Sequence, residues 1–137
     1  MEKIASFTIN HLDLLPGIYV SRKDKAGEAV LTTFDLRMTK PNREPVLNTA
    51  ELHTIEHLGA TYLRNHPDWA QRVIYFGPMG CQTGFYFLFD SRKLPDDDAV
   101  ALVKEVFAAG ATWEGPMPGK SAVECGNYIN LDTALAR

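Results

Sequence analysis

The sequence predicts an α+β fold in one compact unit, and three observations carry that expectation. Residues 29–38 alternate in polarity. Val30, Thr32, Phe34, Leu36 and Met38 fall on one side, and Leu31, Thr33, Asp35 and Arg37 on the other, which is the period of a strand with a mostly apolar inner face. Residues 48–66 and 96–110 instead carry apolar residues at helical spacing. Between those two helices lie two short runs of aromatic and β-branched residues, Val73–Phe76 and Phe85–Phe89, around a tight loop.

The elements follow in order. A short strand is expected over residues 17–23, after Pro16-Gly17, and the alternating strand over 29–38. Lys40-Pro41-Asn42-Arg43-Glu44-Pro45 breaks the chain. The first helix starts at Asn48 or Thr49 as cap, with Glu51 in its first turn, and runs to about His66, ahead of Pro67. Leu52, Ile55, Leu58, Gly59, Tyr62 and Leu63 form its apolar rows. The second helix opens on Asp96-Asp97-Asp98, acids that suit its positive end, and closes at Gly110. Val100, Val103, Val106 and Phe107 give it a buried stripe. Two prolines and two glycines make residues 115–120 a loop. With no repeat, low-complexity tract or linker, residues 1–137 read as a single domain.

Composition narrows the function. A chain of 137 residues buries a proper core without disulfides. The net charge of −3 offers no basic surface to nucleic acid or to an anionic membrane. No apolar stretch approaches the ~20 residues of a membrane-spanning helix. The N-terminus lacks the apolar run and cleavage site of a signal peptide, so the expected location is cytoplasmic. The only cysteines, Cys81 and Cys125, read there as functional thiols or metal ligands rather than as a disulfide.

The chemistry starts at His53-Thr54-Ile55-Glu56-His57. Residues at i and i+4 share a helix face one turn apart, so both imidazoles can reach one metal ion, with Glu56 bordering the same pocket as a candidate acid or base. A third ligand is needed, and Cys125, Cys81, His11 and several carboxylates are available. Cys125 precedes Gly126, and a glycine lets backbone come close to a metal. Two nitrogens, a thiolate and a water make an open catalytic site, and that ligand set alone points to zinc. Cys81 lies in Gly77-Pro78-Met79-Gly80-Cys81-Gln82-Thr83-Gly84, a loop shaped to border a ligand. It can act as nucleophile or acid/base if a cation lowers its pKa. Arg37 is the candidate cation, with a surface ion pair as its plainer role. By themselves Ser6 reads as a surface or capping hydroxyl and His11 as a turn residue. Two rival classes are a small metallopeptidase of H-x-x-E-H type and a non-enzymatic module stapled by a closed metal site.

Taken together, His53-Thr54-Ile55-Glu56-His57-Leu58, Gly77 to Tyr86 and Glu124-Cys125-Gly126-Asn127-Tyr128 resemble, in that order and spacing, the LuxS family of S-ribosylhomocysteine lyases. Phe34-Asp35-Leu36-Arg37 resembles the family's strand motif, and Ser6-Phe7 with His11 its N-terminal segment. The likeness runs from about Ser6 to Tyr128. The chain departs where it has Tyr75, Phe76 and Gly77, since the family's more studied branch has aspartate and isoleucine before Ser-Pro-Met-Gly-Cys. Many relatives also continue with more helix past the position of Arg137.

The resemblance implies a reaction. Members cleave the thioether of S-ribosylhomocysteine to homocysteine and 4,5-dihydroxy-2,3-pentanedione, precursor of the autoinducer-2 quorum signal. The thioether on carbon 5 leaves only once a carbonyl reaches carbon 3 and acidifies the neighbouring proton, so two carbonyl shifts precede a β-elimination. On this likeness His53, His57 and Cys125 hold one metal per chain, ferrous iron, with zinc or cobalt as substitutes, to stabilise each enediolate. Cys81 and Glu56 relay protons, and Arg37 supports a thiolate at Cys81. The fold implied is a small two-layer sandwich, an antiparallel sheet packed by helices on one face. The assembly implied is a homodimer with two sites at its interface. Ser6, Phe7, His11 and Arg64 then reach substrate bound largely by the other subunit, and Tyr86 of the second motif joins the substrate contacts.

Overall fold

The structure, a computed structural model, describes residues 1–134. Four strands, β1 (Gly17–Ala26), β2 (Ala29–Arg37), β3 (Val73–Pro78) and β4 (Gly84–Asp90), form one antiparallel sheet in the order β1-β2-β4-β3. Helices α1 (Thr49–Arg64) and α2 (Asp96–Ala111) pack against it. This is the predicted α+β architecture.

Local chemistry sets the boundaries. Gly27, at φ +61°, turns β1 into β2 through a two-residue connection, a conformation most side chains resist. β1 runs three residues past the predicted end, through Asp24, Lys25 and Ala26. That stretch has no apolar alternation, but pairing Asp24 with Leu31 and Lys25 with Val30 extends the hairpin, and charged side chains suit an edge strand. Asn48 caps α1 by accepting from the Glu51 amide at 2.8 Å. α1 ends ahead of His66-Pro67, because proline disfavours helical backbone in the residue before it. Three aspartates open α2 against its dipole. Three 3-10 turns, at Ala5–Phe7, Ala70–Arg72 and Tyr128–Asn130, gave no sequence signal.

Phenylalanines from the central strands dominate the core. Phe34 of β2 and Phe85, Phe87 and Phe89 of β4 are each 1% exposed or less. They meet Leu52 and Leu63 from α1 and Leu102, Val103 and Val106 from α2. Phe34 packs edge-on against Phe89 at 4.9 Å, and Phe76 stacks on Phe85 at 5.2 Å. Gly59 leaves room on α1 for the Phe76 ring.

The opposite face of β2 is polar yet buried. Asp35 and Arg37 are 4% and 5% exposed, side by side on the face away from the helices. A buried charge needs a partner, and this strand end supplies its own.

Candidate metal centre and thiol site

One face of α1 supplies two imidazoles. His53 and His57 lie one turn apart, ring centroids 4.7 Å apart and rings nearly perpendicular. Cys125 approaches from the segment after the Gly/Pro loop, its Sγ 3.3 Å from His53 Nε2. Among the described residues, His53, His57 and Cys125 form the one cluster able to hold a metal, their donor atoms all within 4.8 Å of one another and all half-buried.

The free ends of the rings are set by what holds the other ends. His57 Nδ1 lies 2.9 Å from the Pro118 carbonyl, which only accepts, so Nδ1 carries the proton and Nε2 is left bare. His53 Nδ1 lies 3.0 Å from Asn130 Oδ1, again an acceptor, and its Nε2 faces Cys125. Tying back the second nitrogen in this way is how proteins orient metal-binding histidines. Two bare imidazole nitrogens and a sulfur converging on one point suit a divalent ion.

The segment bearing Cys125 is fixed to α1. The Asp132 amide donates to buried Thr54 Oγ1 at 2.9 Å, and Leu131 is 1% exposed. The Cys125 amide donates to the Ser121 carbonyl at 3.0 Å. A Cβ at Gly126 would meet no protein atom within 4 Å. Gly119, by contrast, lies against a metal-site side chain. It has φ +70°, and a Cβ there would lie 2.8 Å from His57 Nδ1.

Next to the cluster a cleft of about 350 Å³ is lined by His53 and Glu56 on one side and by Met79 and Gln82 on the other. Glu56 is half-buried and makes no hydrogen bond or ion pair among the described residues, so its carboxylate is open to a ligand. The opposite wall is the tight turn that carries Cys81. The Gln82 amide donates to Met79 O at 3.0 Å, and Gln82 itself has φ +64°, a strained conformation for a non-glycine. At Gly84 a Cβ would run into the backbone of Leu36 and Arg37, so only glycine lets this turn lie flush over the end of β2.

That contact brings Cys81 to Arg37. Arg37 Nη2 and Nε donate to Asp35 at 2.6 and 3.2 Å, while Nη1 donates to Thr83 Oγ1 at 2.6 Å and lies 3.8 Å from Cys81 Sγ. Partial burial pushes the Cys81 thiol up, but the Thr83 hydroxyl and amide, together with the Arg37 charge, outweigh it and hold the thiol below its usual range. Burial and then the Asp35 charge push the neighbouring Tyr86 phenol up.

The structure therefore brings together His53, His57 and Cys125, with Glu56 beside them, and separately Cys81 with Arg37. It places Tyr86 beside the second group, and Ser6, Phe7, His11 and Arg64 in neither. Ser6 and Tyr86 line a cleft of about 560 Å³ with Tyr75 and Leu88. Phe7 is 68% exposed, and His11 Nδ1 contacts Ile9 O at 2.9 Å. Arg64, two turns beyond His57, donates to the Val73 and Ile74 carbonyls at 3.3 and 2.9 Å. Sequence reasoning missed Pro118, Gly119, Asn130, Asp35 and Thr83. The density of glycine and proline at 115–120 marked a loop without showing what the loop touched, and Thr83 and Asp35 lay inside segments the sequence singled out without a role of their own.

The family described as S-ribosylhomocysteinase (LuxS) matches residues 4–137. Proteins named S-ribosylhomocysteine lyase are similar over essentially the whole chain. The Finegoldia magna protein is 59% identical over 137 residues, covering 100% of this chain and 86% of that protein. The Clostridium acetobutylicum protein is 57% identical over 136 residues, covering 99% and 85%. The Borreliella afzelii protein is 49% identical over 136 residues, covering 98% and 86%. The peptidase reading gains no support, since no carboxylate joins the metal cluster among the described residues.

Proposed function

The chain belongs to the S-ribosylhomocysteinase (LuxS) family, and from that premise we propose that residues 1–137 act as one catalytic domain that cleaves S-ribosylhomocysteine to homocysteine and 4,5-dihydroxy-2,3-pentanedione. The reaction is redox-neutral. The open-chain sugar carries its carbonyl from carbon 1 to carbon 2 and then to carbon 3. The carbon 4 proton is then removed, the carbon 5–sulfur bond breaks with its electron pair on sulfur, and the resulting enol ketonises to the dione.

His53, His57 and Cys125 are the residues that hold the metal, one ion per chain, with ferrous iron as the proposed occupant and zinc or cobalt as substitutes. When bound, that ion supplies Lewis-acid stabilisation of the negative charge that develops at each carbonyl shift. The proton work belongs to side chains. Cys81 Sγ, held toward the thiolate, takes a proton from the carbon beside the carbonyl and returns it to the former carbonyl carbon, while the hydroxyl proton passes to the former carbonyl oxygen. Glu56, with no partner among the described residues, takes the carbon 4 proton at the elimination. Arg37 stabilises the thiolate and keeps its place through Asp35.

The observation that carries this reading is the convergence of two imidazoles and a thiol within 4.8 Å beside the cleft that Glu56 lines. Ser6, Phe7, His11, Arg64 and Tyr86 are proposed to contact substrate across a homodimer interface. The proposed compartment is the cytoplasm, in keeping with two free cysteines. No helix among the described residues is long and apolar enough to cross a membrane.

The test is anaerobic incubation of the metal-loaded protein with S-ribosylhomocysteine and an assay for released thiol. Homocysteine release, lost along with bound metal in His57→Ala, is the expected result. A wild-type protein that hydrolyses a peptide library and releases no thiol would overturn the reading.

A further inference from the structure

Thr83 is 3% exposed and lies between two groups of opposite need. Its main chain is pinned. The Thr83 carbonyl accepts from the Met38 amide at 2.9 Å and the Thr39 amide at 3.2 Å, just past the end of β2. Its side chain is therefore delivered to a fixed place. There Oγ1 accepts from Arg37 Nη1 at 2.6 Å and lies 3.1 Å from Cys81 Sγ.

The donor count gives the direction of these contacts. A guanidinium has only donors, so the bond with Arg37 uses an oxygen lone pair. The single hydroxyl proton is left for the sulfur. Toward a thiolate it donates a charge-assisted hydrogen bond, the stronger kind. All three nitrogens of Arg37 meanwhile have a partner. Asp35 takes Nε and Nη2, and Nη1 goes to Thr83, at 3.8 Å too far from the sulfur for a strong bond of its own. The guanidinium thus acts on Cys81 both through its charge at 3.8 Å and through the hydroxyl it polarises between them.

We propose that Thr83 is a positioning residue for the reaction. Its hydroxyl relays the Arg37 charge to Cys81 and holds the sulfur in the form and place that proton transfer needs. The proposal rests on the reading of Cys81 as the acid/base. The other ionisable groups around the thiol are Arg37 and Asp35 of β2, Tyr86 of β4, and Glu56 of α1 across the cleft. None of them replaces a hydroxyl placed 3.1 Å from the sulfur.

The experiment uses the metal-loaded protein carrying Thr83→Val, Thr83→Ser or Thr83→Ala. Three quantities are read: the pH profile of iodoacetamide alkylation at Cys81, followed by peptide mass spectrometry; bound metal; and kcat and KM for thiol release. Valine keeps the branched shape and removes the hydroxyl. It should move the alkylation midpoint upward by about one pH unit, a ~10-fold loss of thiolate below the midpoint. Metal content should stay, kcat should fall and KM should change little. Serine should restore both readouts. Alanine, which leaves space beside Nη1, should reproduce the valine result even if valine is not tolerated. An alkylation profile in Thr83→Val or Thr83→Ala that overlays the wild type would overturn the proposal, as would serine failing as badly as alanine. A raised midpoint with unchanged kcat would instead leave Thr83's hold on the thiol standing and sink the assignment of Cys81 as the acid/base.

Discussion

Cys81 and Cys125 are both free thiols, and their surroundings give them different work. Cys125 points at two bare imidazole nitrogens and has no cation of its own beside it in the observed contacts. Cys81 has a hydroxyl, an amide and a guanidinium around its sulfur, and no imidazole. Metal content therefore separates them. Cys81→Ala should retain the metal and lose turnover by ~10²–10⁴, the usual range for a general acid or base. Cys125→Ala should lose the metal as well, which elemental analysis of the two purified variants would read. Loss of metal from Cys81→Ala would move that residue into the ligand set. At this scale the sequence showed the groups that carry chemistry, because imidazole, thiol and carboxylate are rare enough for their spacing to mean something. It did not show Pro118, whose contribution is a backbone carbonyl that every residue possesses, or Thr83 and Asn130, whose side chains are common in turns.

The elements explain why those partners were hidden. Within α1 the histidine pair follows from helical periodicity alone, so it was legible. The groups that orient the pair come from loops 61 and 77 residues further along the chain, and only tertiary folding brings them there. The edge strand illustrates the same limit. Asp24-Lys25-Ala26 has no strand pattern, and its pairing with β2 decides its conformation. Gly119 joins both arguments, since its positive φ and the absence of a Cβ let the Pro118 carbonyl reach His57. Gly119→Ala should push this loop off the ring, free Nδ1 and weaken metal binding by ~10–100-fold, the range for losing a group that orients a metal ligand. A chelator competition assay reads that directly. Unchanged affinity would mean that the Pro118 contact does not orient His57. Gly126→Ala is the matched control, because a Cβ there enters open space.

At the scale of the whole molecule, the two faces of the sheet are unequal. Helices cover one. On the other, Tyr86, Leu88 and Thr33 face a cleft of about 560 Å³ shared with Ile4, Ile9 and Tyr75 from outside the two central strands. Several apolar side chains on the N-terminal segment and the outer strands are well exposed, among them Ile4 at 60%, Phe7 at 68%, Val20 at 51% and Tyr75 at 47%. Exposed apolar side chains there are in keeping with the proposed dimer contact. In the proposed dimer it gives Ser6, Phe7 and His11 a place beside another chain's metal and thiol, which the single chain does not give them. Sedimentation should then report a species of about twice the 15.3 kDa of one chain. A stricter test asks whether the sites are shared. Chains carrying Cys81→Ala and chains carrying Ser6→Ala with His11→Ala should each form dimers with little turnover. In the mixed dimer one site combines Cys81 of the second chain with Ser6 and His11 of the first, and is wild-type throughout. Unfolding and refolding an equal mixture should therefore recover about a quarter of wild-type turnover, the share expected for random pairing in a two-fold dimer. If each site were complete within its own chain, no pairing would rebuild one, and the mixture would be no more active than the average of its parts.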